Sequence, residues 1–527
     1  MAIHTNLYLL VFLPLVMLAY QLVPRKMRWG VLLAASYALY ISFSSFLVLL
    51  LMATSFFTWK IALWMDEIGA QCALKQKECT DRKQKSEVKK DFQKKRVKVL
   101  RLGVLVLLGI LFYVNYYNFV AENVNIFLGV LGAKLPMARV MFPMGISFYT
   151  LEAVGYMADV YWERYPAEKH LGKVALFLSF FPQIMEGPIA RFPDTADALF
   201  SGEPIKMDNI SEGYLRIIWG LSKKMIVSDR LTLLTNQIFN NHKEYHGSFI
   251  IMAAIAYTIQ LYMEFSGSID IVIGSGKMFG VTIPENFNQP FSAQSAAEFW
   301  RRWHMSLGNW FKNYLFYPMT VSPLVKNWSK KARKKYGKYW SMVGTSAMAL
   351  FPVWVATGVW HGAGWKYLFY GMYYFVILLL GVALEPLKEK RYQKLGIDPN
   401  APWLKTLRIL KTWVIIFTGE LFFNAKTLTI GFEMFFSIFG NFHISSIWKY
   451  WPYDLLSEGD VCAIIGGSII VWIIGFLKEH GWDAREKILH ASTPARWSVF
   501  LACAFALLLF GAYGTGYQPV DLIYAGF

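Results

Sequence analysis

Long apolar runs, separated by short polar segments, fill most of the chain. Runs of the length that crosses a bilayer as a helix, about 17–25 residues, occur at 6–23, 29–45, 46–66, 102–120, 137–160, 173–190, 248–265, 341–360, 364–384, 407–425, 461–477 and 498–514. They are continuous rather than alternating, which argues against a transmembrane β-barrel. The pattern predicts an all-α polytopic membrane protein in which residues 1–527 form a single membrane-embedded domain.

Shorter helices with one apolar face are predicted near 124–132, 211–228, 268–280, 296–318 and 428–440. The most distinctive one lies in SAAEFWRRWHMSLGNWFKNYLFYP (295–318), where Ser295 and Glu298 have the spacing of a capping box. The pattern predicts one continuous helix over 296–318. Its apolar face carries Trp300, Trp303, His304, Leu307, Phe311 and Leu315. Such an amphipathic or re-entrant helix lies at the membrane interface or inside a cavity rather than spanning lipid.

The polar segments carry a marked positive charge. The 527 residues include 53 Lys and Arg against 35 Asp and Glu, a net charge of +18. The excess is concentrated in two stretches, 67–101 and 326–338, and in the short RKMR at 25–28. Positive loops of membrane proteins lie on the cytoplasmic face. We therefore predict basic cytoplasmic loops, a first span at the N-terminus whose leading end is outside, and no nucleic-acid partner.

The cysteines and serines indicate which chemistry is absent. Cys72, Cys79, Cys462 and Cys503 have neither metal-ligand spacing nor the pattern of a disulfide framework. No Gly-x-Ser-x-Gly sequence of the serine-hydrolase type occurs. We expect no metal site and no tightly bound cofactor.

Two histidines in apolar, tryptophan-rich segments are the candidate catalytic groups. His361 stands in VWHGAGWKYLFYG (359–371), and His304 stands on the predicted amphipathic helix. Imidazole has an ordinary pKa near 6.5, and burial favours its neutral form. Either ring could therefore accept a proton from a hydroxyl group as a general base. The alternative is that each ring only fixes helix packing through a hydrogen bond.

The neighbours of these histidines admit two interpretations as well. Gly362 permits close approach of backbone or substrate, whereas Trp360 and Trp365 serve equally well as packing residues or interfacial anchors. Glu186, in the apolar segment FPQIMEGPIARF (181–192), either forms a structural ion pair, for example with Arg191, or lines a substrate path.

The same segments carry a resemblance to a known family. The stretch from LYMEFSG to YLFYPM (261–319), followed by VWHGAGWKYLFYG, resembles the membrane-bound O-acyltransferase (MBOAT) family. The similar branch is bacterial and contains alginate and peptidoglycan O-acetyltransferases and teichoic-acid D-alanyltransferases. MGISFYTLEAVGYMADVY (144–161) and FPQIMEGPIARF are similar to that branch in the same order, so the core motifs lie within 140–385.

The resemblance implies a fold and a reaction. Many helices would surround a funnel, with His361 at its narrow neck. An acyl group, most often acetyl, would pass from a cytoplasmic thioester to a hydroxyl group of an envelope polysaccharide or glycolipid. The expected co-substrate is acetyl-CoA or an acyl-carrier protein at the cytoplasmic face, and an exported accessory acyltransferase is a further expected partner. The implied location is the bacterial cytoplasmic membrane, with the lipid bilayer as surroundings.

Roles for individual residues follow as expectations. We expect His361 to deprotonate the acceptor hydroxyl and His304 to position donor or acceptor. The residues expected to contact substrates are Trp303, Asn309, Trp360, Gly362, Trp365 and Glu186.

Three other functions stay open at this point. D-alanyl transfer from a carrier protein to teichoic acid uses the same motifs. A transporter or flippase of an envelope precursor would also have many spans and intramembrane ionisable groups, although no internal repeat is visible. An inactive scaffold would not need the two histidines.

Overall fold

The structure is a computed structural model that describes residues 3–449, 451 and 456–513. Every regular element in this part of the chain is a helix. The prediction of an all-α polytopic membrane protein is confirmed. The described residues group into two compact units, one made of Met1–Gly213 with Val272–Pro284 and the other of Tyr214–Ile271 with the residues from Glu285 onward. The prediction of one membrane-embedded domain stays a prediction.

The first unit is built from helices of very different lengths. Its two longest helices are joined by a short turn at 79–81. The helices of its N-terminal part are Leu13–Leu22, Arg28–Ser44, Val48–Glu78, Arg82–Asn115, Tyr117–Leu128, Ile146–Tyr161, Leu171–Ser179 and Phe192–Ser201. The helix Met207–Ser222 follows, and the second unit begins within it, at Tyr214.

The second unit holds the segments with the candidate histidines. Its longer helices are Asp229–Asn240, Gly247–Met278, Pro323–Trp360, Trp365–Leu395, Pro402–Asn424, Leu428–Gly440, Glu458–Glu479 and Thr493–Phe510. Its shorter helices are Ala296–Arg302, Met305–Phe311, Tyr317–Thr320, Ser445–Lys449 and Ala484–Leu489, and two π-helical turns lie at Lys223–Ser228 and Lys312–Phe316.

Seven helical stretches of the described chain are long and apolar enough to cross a membrane. They are Arg25–Glu78, Arg82–Asn115, Gly247–Met278, Pro323–Trp360, Trp365–Leu395, Glu458–Glu479 and Thr493–Phe510. The first of them contains two predicted spans, since the chain breaks at Ser45, where φ is 47°. A multi-pass membrane protein is the result.

Four of the predicted spans, 6–23, 137–160, 173–190 and 407–425, are not among these seven stretches, and two of the four are wrong. The run 137–160 contains only the helix Ile146–Tyr161, and the run 173–190 contains only the end of the nine-residue helix Leu171–Ser179. Both helices are too short to cross a bilayer. All but the last residue of Ile146–Tyr161 are buried within the protein. A helix that is apolar on every face is buried either in lipid or in protein, and here protein surrounds it.

The two basic stretches are helical rather than looped. Residues 67–101 comprise the end of Val48–Glu78, the turn and the start of Arg82–Asn115. Residues 326–338 lie in the first part of Pro323–Trp360, which breaks at Gly337, where φ is 85°. Their place on the cytoplasmic face stays a prediction.

A backbone-to-backbone contact fixes the turn that carries His361. The helices on either side of it cross at Gly358 and Gly371. A Cβ atom on Gly371 would lie 2.3 Å from the carbonyl oxygen of Trp354 and 3.2 Å from Cα of Gly358. Helices of membrane proteins approach this closely only where small residues face each other.

We predict that Gly371→Ala destabilises the protein, because its new methyl group must push two helix backbones apart. Overpacking of this kind costs about 1–3 kcal/mol, which thermal unfolding of the purified protein in detergent would report as a lower midpoint. Gly381→Ala, on the same helix with no atom within 4 Å of its added Cβ, should leave the midpoint unchanged or raise it. Equal midpoints for the two variants would contradict the close crossing.

Candidate active site

The helix predicted over 296–318 is broken immediately before His304. The chain forms Ala296–Arg302, leaves the helical conformation at Trp303 and begins again as Met305–Phe311. The predicted start is confirmed, since Ser295 Oγ accepts a hydrogen bond from the backbone N–H of Glu298 at 3.2 Å. The single continuous helix is wrong, because His304 takes the left-handed conformation with φ 45° and ψ 53°.

Asn286 holds this break in place. Its backbone carbonyl accepts from the N–H of Met305 at 2.9 Å, and its side-chain oxygen accepts from the N–H of Ser306 at 2.9 Å. The same side-chain oxygen lies 3.3 Å from Nδ1 of His304. The chain therefore contributes a fully buried amide, eighteen positions upstream, to hold the His304 turn.

This arrangement fixes the tautomer of His304. The contact with the Ser306 N–H requires the oxygen of the Asn286 amide, not its nitrogen, to face the turn. An amide oxygen only accepts, so Nδ1 of His304 donates to it. The neutral ring then carries its lone pair on Nε2, and that nitrogen is the one able to accept a proton.

His361 lies directly after the helix Pro323–Trp360, and the backbone conformation of the next residue, Gly362, requires glycine. Gly362 has φ 147°, and a Cβ atom there would lie 2.6 Å from the ring of Tyr367. The backbone N–H of His361 donates to the carbonyls of Thr357 and Gly358 at 3.3 and 3.2 Å. The close approach expected at Gly362 is thus made by Tyr367, and substrate contact at this glycine stays a prediction.

Trp360 brings the two imidazoles to one place. The ring of His304 packs against Trp360 at 5.5 Å between centroids, and the ring of His361 packs against it at 4.9 Å. Phe265 closes the other side of His304 at 4.9 Å, and Phe423 meets His361 at 5.2 Å. Two histidines that are 57 positions apart in the chain therefore share one aromatic enclosure.

Burial sets the charge state of both rings. His304 is 3% exposed and His361 5%. Neither lies within one of the helices long enough to span a membrane. Burial lowers the pKa of His361, and burial together with the neighbouring His361 ring lowers the pKa of His304. Both imidazoles are neutral at pH 7 and can accept a proton.

A tyrosine–carboxylate pair borders His361 on a third side. The ring of Tyr370 meets that of His361 edge-on at 5.9 Å. Its hydroxyl donates to Oε1 of Glu420 at 2.8 Å. Glu420 is 2% exposed, and its other oxygen accepts no hydrogen bond from the described residues. The pair places a buried carboxylate one side chain away from the imidazole.

Of the other residues expected to contact substrate, some lie beside the two histidines and some lie at the protein surface. Trp303 is buried beside His304, stacked on Phe299 at 5.4 Å and edge-on to Phe287 at 5.1 Å. Asn309 is exposed on Met305–Phe311, and Trp365 is 54% exposed at the start of its helix. Trp303 and Trp360 therefore accompany the histidines, whereas the structure does not bring Asn309 and Trp365 into the enclosure.

Glu186 belongs to the first compact unit. It is buried in a segment that is held to the helix Ile146–Tyr161 at two points. The N–H of Ala190 donates to Glu152 Oε1 at 3.0 Å, and Arg191 Nη2 lies 3.0 Å from Asp159 Oδ2. Arg191 thus forms an ion pair with Asp159. A place for Glu186 on a substrate path stays a prediction.

Two residues of the enclosure escaped the sequence analysis. Asn286 lies in a stretch of Asn, Gln and Pro that indicated only a helix break. Glu420 is a single acid in the apolar run VIIFTGELFF. A lone carboxylate in such a run is a functional signal in its own right, so Glu420 could have been found.

Most of the chain is similar to one protein family. The sequence profile of MBOAT, the membrane-bound O-acyltransferase family, matches residues 36–391. Within the second unit, both histidines and Asn286 fall inside that range, whereas Glu420 falls outside it.

Several known proteins are similar to this chain over long stretches. A probable alginate O-acetylase of Azotobacter vinelandii is 30% identical over 510 residues, covering 94% of this chain and 91% of the relative. A peptidoglycan O-acetyltransferase of Helicobacter pylori is 28% identical and covers 62% of each chain. A teichoic acid D-alanyltransferase of Bacillus subtilis is 28% identical, covering 54% of this chain and 69% of the relative.

We predict that Asn286→Ala destabilises the turn that carries His304. The substitution leaves the Ser306 N–H and His304 Nδ1 without their acceptor, and each unsatisfied buried group costs about 1–3 kcal/mol. The thermal unfolding midpoint of the purified protein should fall clearly. Asn309→Ala, at an exposed position of the adjacent helix, is the matched control and should change it little; an unchanged midpoint for Asn286→Ala would refute the role given to this amide.

Proposed function

The chain belongs to the membrane-bound O-acyltransferase family, and from this premise we propose that it moves an acetyl group from a cytoplasmic thioester to a hydroxyl group of an envelope polysaccharide, or to a partner that passes it on. Its class, a membrane acyltransferase, follows from the family and its relatives. Acetyl and a polysaccharide acceptor are supported by the alginate O-acetylase relative, whose similarity extends over almost the whole chain.

The observation that carries the proposal is the shared enclosure of His304 and His361 against Trp360. A thioester is already activated, whereas a neutral hydroxyl is a poor nucleophile. A neutral, buried imidazole supplies what is missing. His361 takes the hydroxyl proton as the oxygen attacks the thioester carbonyl, the new C–O bond forms, and the C–S bond breaks. The proton then passes from the imidazolium to the departing thiolate.

His304 acts as the positioning partner in this scheme. Its Nδ1 donates to Asn286, so its Nε2 can accept a hydrogen bond from a second hydroxyl group of the acceptor, next to the one that reacts. The aromatic rings around both histidines exclude water, which would otherwise hydrolyse the thioester.

The donor is proposed to bind at the basic stretch 326–338. A surface cavity of about 510 Å³ there is lined by Lys326, Lys330, Arg333 and Lys334. Four cations at one cavity attract the phosphates of acetyl-CoA or the acidic surface of a carrier protein. In this proposal the basic stretch, and with it the donor, lies on the cytoplasmic face of the bacterial cytoplasmic membrane, and the N-terminus is outside. An exported accessory acyltransferase remains part of the proposal as the recipient of the acyl group.

We predict that His361→Ala abolishes transfer of label from acetyl-CoA to envelope material in isolated membranes. Loss of a general base lowers the rate by about 10²- to 10⁴-fold. His490→Ala, which changes an exposed histidine elsewhere in the same unit, should transfer at the wild-type rate. Equal transfer by His361→Ala and wild type, at equal protein amounts, would rule out the general-base role.

The same assay separates the acyl donors. If the wild type transfers no label from acetyl-CoA but does so from a D-alanyl-charged carrier protein, the chain is a D-alanyltransferase. Uptake of an envelope precursor into vesicles that is unaffected by His361→Ala, without any acyl transfer, would instead indicate a transporter.

A second prediction concerns pH. The base must be neutral to act, and burial lowers the pKa of His361 below its ordinary 6.5. A base with a lowered pKa keeps its neutral form as the pH falls. The rate constant kcat/KM for transfer should therefore hold between pH 7.5 and 6 and decline only at lower pH. A decline with a midpoint at or above 6.5 would contradict a buried imidazole as the base.

A further inference from the structure

A second cavity lies in the same unit and is not lined by either histidine. Its volume is about 290 Å³, just below the roughly 300–1,000 Å³ typical of sites that enclose a whole small ligand. Its walls come from the helices Gly247–Met278, Glu458–Glu479 and Thr493–Phe510, the end of Met207–Ser222 and the segment 285–289. Three of these walls, Met207–Ser222, Glu458–Glu479 and Thr493–Phe510, lie outside the sequence motifs that contain His304 and His361.

One part of the cavity wall is aliphatic and aromatic. The residues that form it are Leu215, Ile218, Trp219, Ile269, Ile470 and Ile474. Such a wall accepts a hydrocarbon chain.

The deeper charges at the cavity balance one another. Arg216 pairs with Asp270 at 2.5 Å and with Glu285 at 2.6 Å. Lys223 pairs with Asp270 at 2.5 Å and donates to Ser266 Oγ at 2.9 Å. Two cations and two carboxylates therefore form a neutral set of ion pairs within the protein. A ligand charge must be met elsewhere.

The rim of the cavity carries an excess positive charge, unlike the neutral set formed by Arg216, Lys223, Asp270 and Glu285. Lys478 Nζ lies 3.9 Å from Asp483 Oδ2. Asp483 Oδ1 accepts from the backbone N–H groups of Arg485 and Glu486 at 2.9 and 3.3 Å. Among the described residues, no ion pair or hydrogen bond of the Arg485 guanidinium is found. Two cations thus face a single carboxylate, which leaves one positive charge in excess.

The rim lies at the level where two spans end. Lys478 is in the last turn of Glu458–Glu479, and Arg485 lies in the connection that leads to Thr493–Phe510. The ends of transmembrane helices lie at the level of the lipid head groups. Only 6% and 0% of the apolar windows of these two helices are buried in protein, so both face lipid. The aliphatic wall is then at hydrocarbon depth and the cationic rim at phosphate depth.

The geometry points to a binding site for a membrane phospholipid with one net negative charge, such as phosphatidylglycerol. Its phosphate contacts Lys478 and Arg485, and the first part of one acyl chain occupies the cavity. The rest of the lipid lies along the exposed faces of the two spans. Because Glu285 and Phe287 line the cavity and flank Asn286 along the chain, a bound lipid stabilises the segment that holds His304. The site does not depend on the proposed acyl transfer.

The test measures lipid binding by the full-length protein. Purified, delipidated protein in detergent is titrated with a fluorescent phosphatidylglycerol and with phosphatidylcholine of the same chains. We expect phosphatidylglycerol to bind at least about fivefold more tightly. Ile474→Trp, which fills the cavity, should abolish this binding. Ile473→Trp, at the neighbouring position of the same helix, 43% exposed and outside the cavity lining, should leave it unchanged.

A second set of variants tests the rim without filling the cavity. Lys478→Gln combined with Arg485→Gln should remove the preference for phosphatidylglycerol and leave weak binding of both lipids. Lys487→Gln, on the same short helix but outside the cavity lining, is the matched control. Thermal unfolding midpoints of all variants check that each one folds.

Three outcomes would overturn the site. These are equal affinities for the two lipids in the wild type, equal effects of the two tryptophan variants, or an unchanged preference in the double rim variant. Competition distinguishes the source of the ligand. Acetyl-CoA should not displace phosphatidylglycerol, and displacement at low acetyl-CoA concentrations would assign the cavity to the donor instead. The His361→Ala protein should bind the lipid with wild-type affinity. The lipid site can therefore be tested even if the proposed catalytic role of His361 is wrong.

Discussion

A polar side chain buried in a membrane protein must find its partner within the chain, because lipid offers none. Distant segments supply these partners here. Asn286 accepts a hydrogen bond from His304, and Glu420 accepts one from Tyr370 beside His361. In the first unit, Asp159 forms an ion pair with Arg191. The side chains of His304 and of Tyr370, which borders His361, are thus oriented by hydrogen bonds from distant parts of the chain as well as by helix packing.

The aromatic enclosure follows from the same constraint. An imidazole in apolar surroundings is stable only when neutral, and the rings of Trp360, Phe265 and Phe423 provide those surroundings. A neutral imidazole is also the form that accepts a proton. The burial that makes these histidines energetically costly therefore also favours the protonation state that the proposed general base requires.

The sequence was sufficient for the fold class and for the helix start at Ser295, whereas the roles of the two histidines stay predictions. It was insufficient where local pattern and distant contact disagree. Helical periodicity continues without interruption through Trp303 and His304, yet the chain breaks there because Asn286 binds the turn. The run 137–160 has the composition of a span, but composition does not distinguish burial in lipid from burial in protein. Glu420 was recognisable as a lone acid in an apolar run, whereas no sequence pattern indicated that Tyr370 would donate a hydrogen bond to its carboxylate.

The segment 285–289 connects the two sites argued for in the second unit. Phe287 lies edge-on to both Trp303 and Phe265, the residues that border His304. Its other neighbours include Tyr262, which also lines the lipid cavity. A ligand in that cavity cannot alter the bonds of His304 directly, since Asn286 forms them. It can reduce the freedom of the segment from which Asn286 acts, and an ordering effect of this kind changes how often His304 is correctly oriented without changing its contacts.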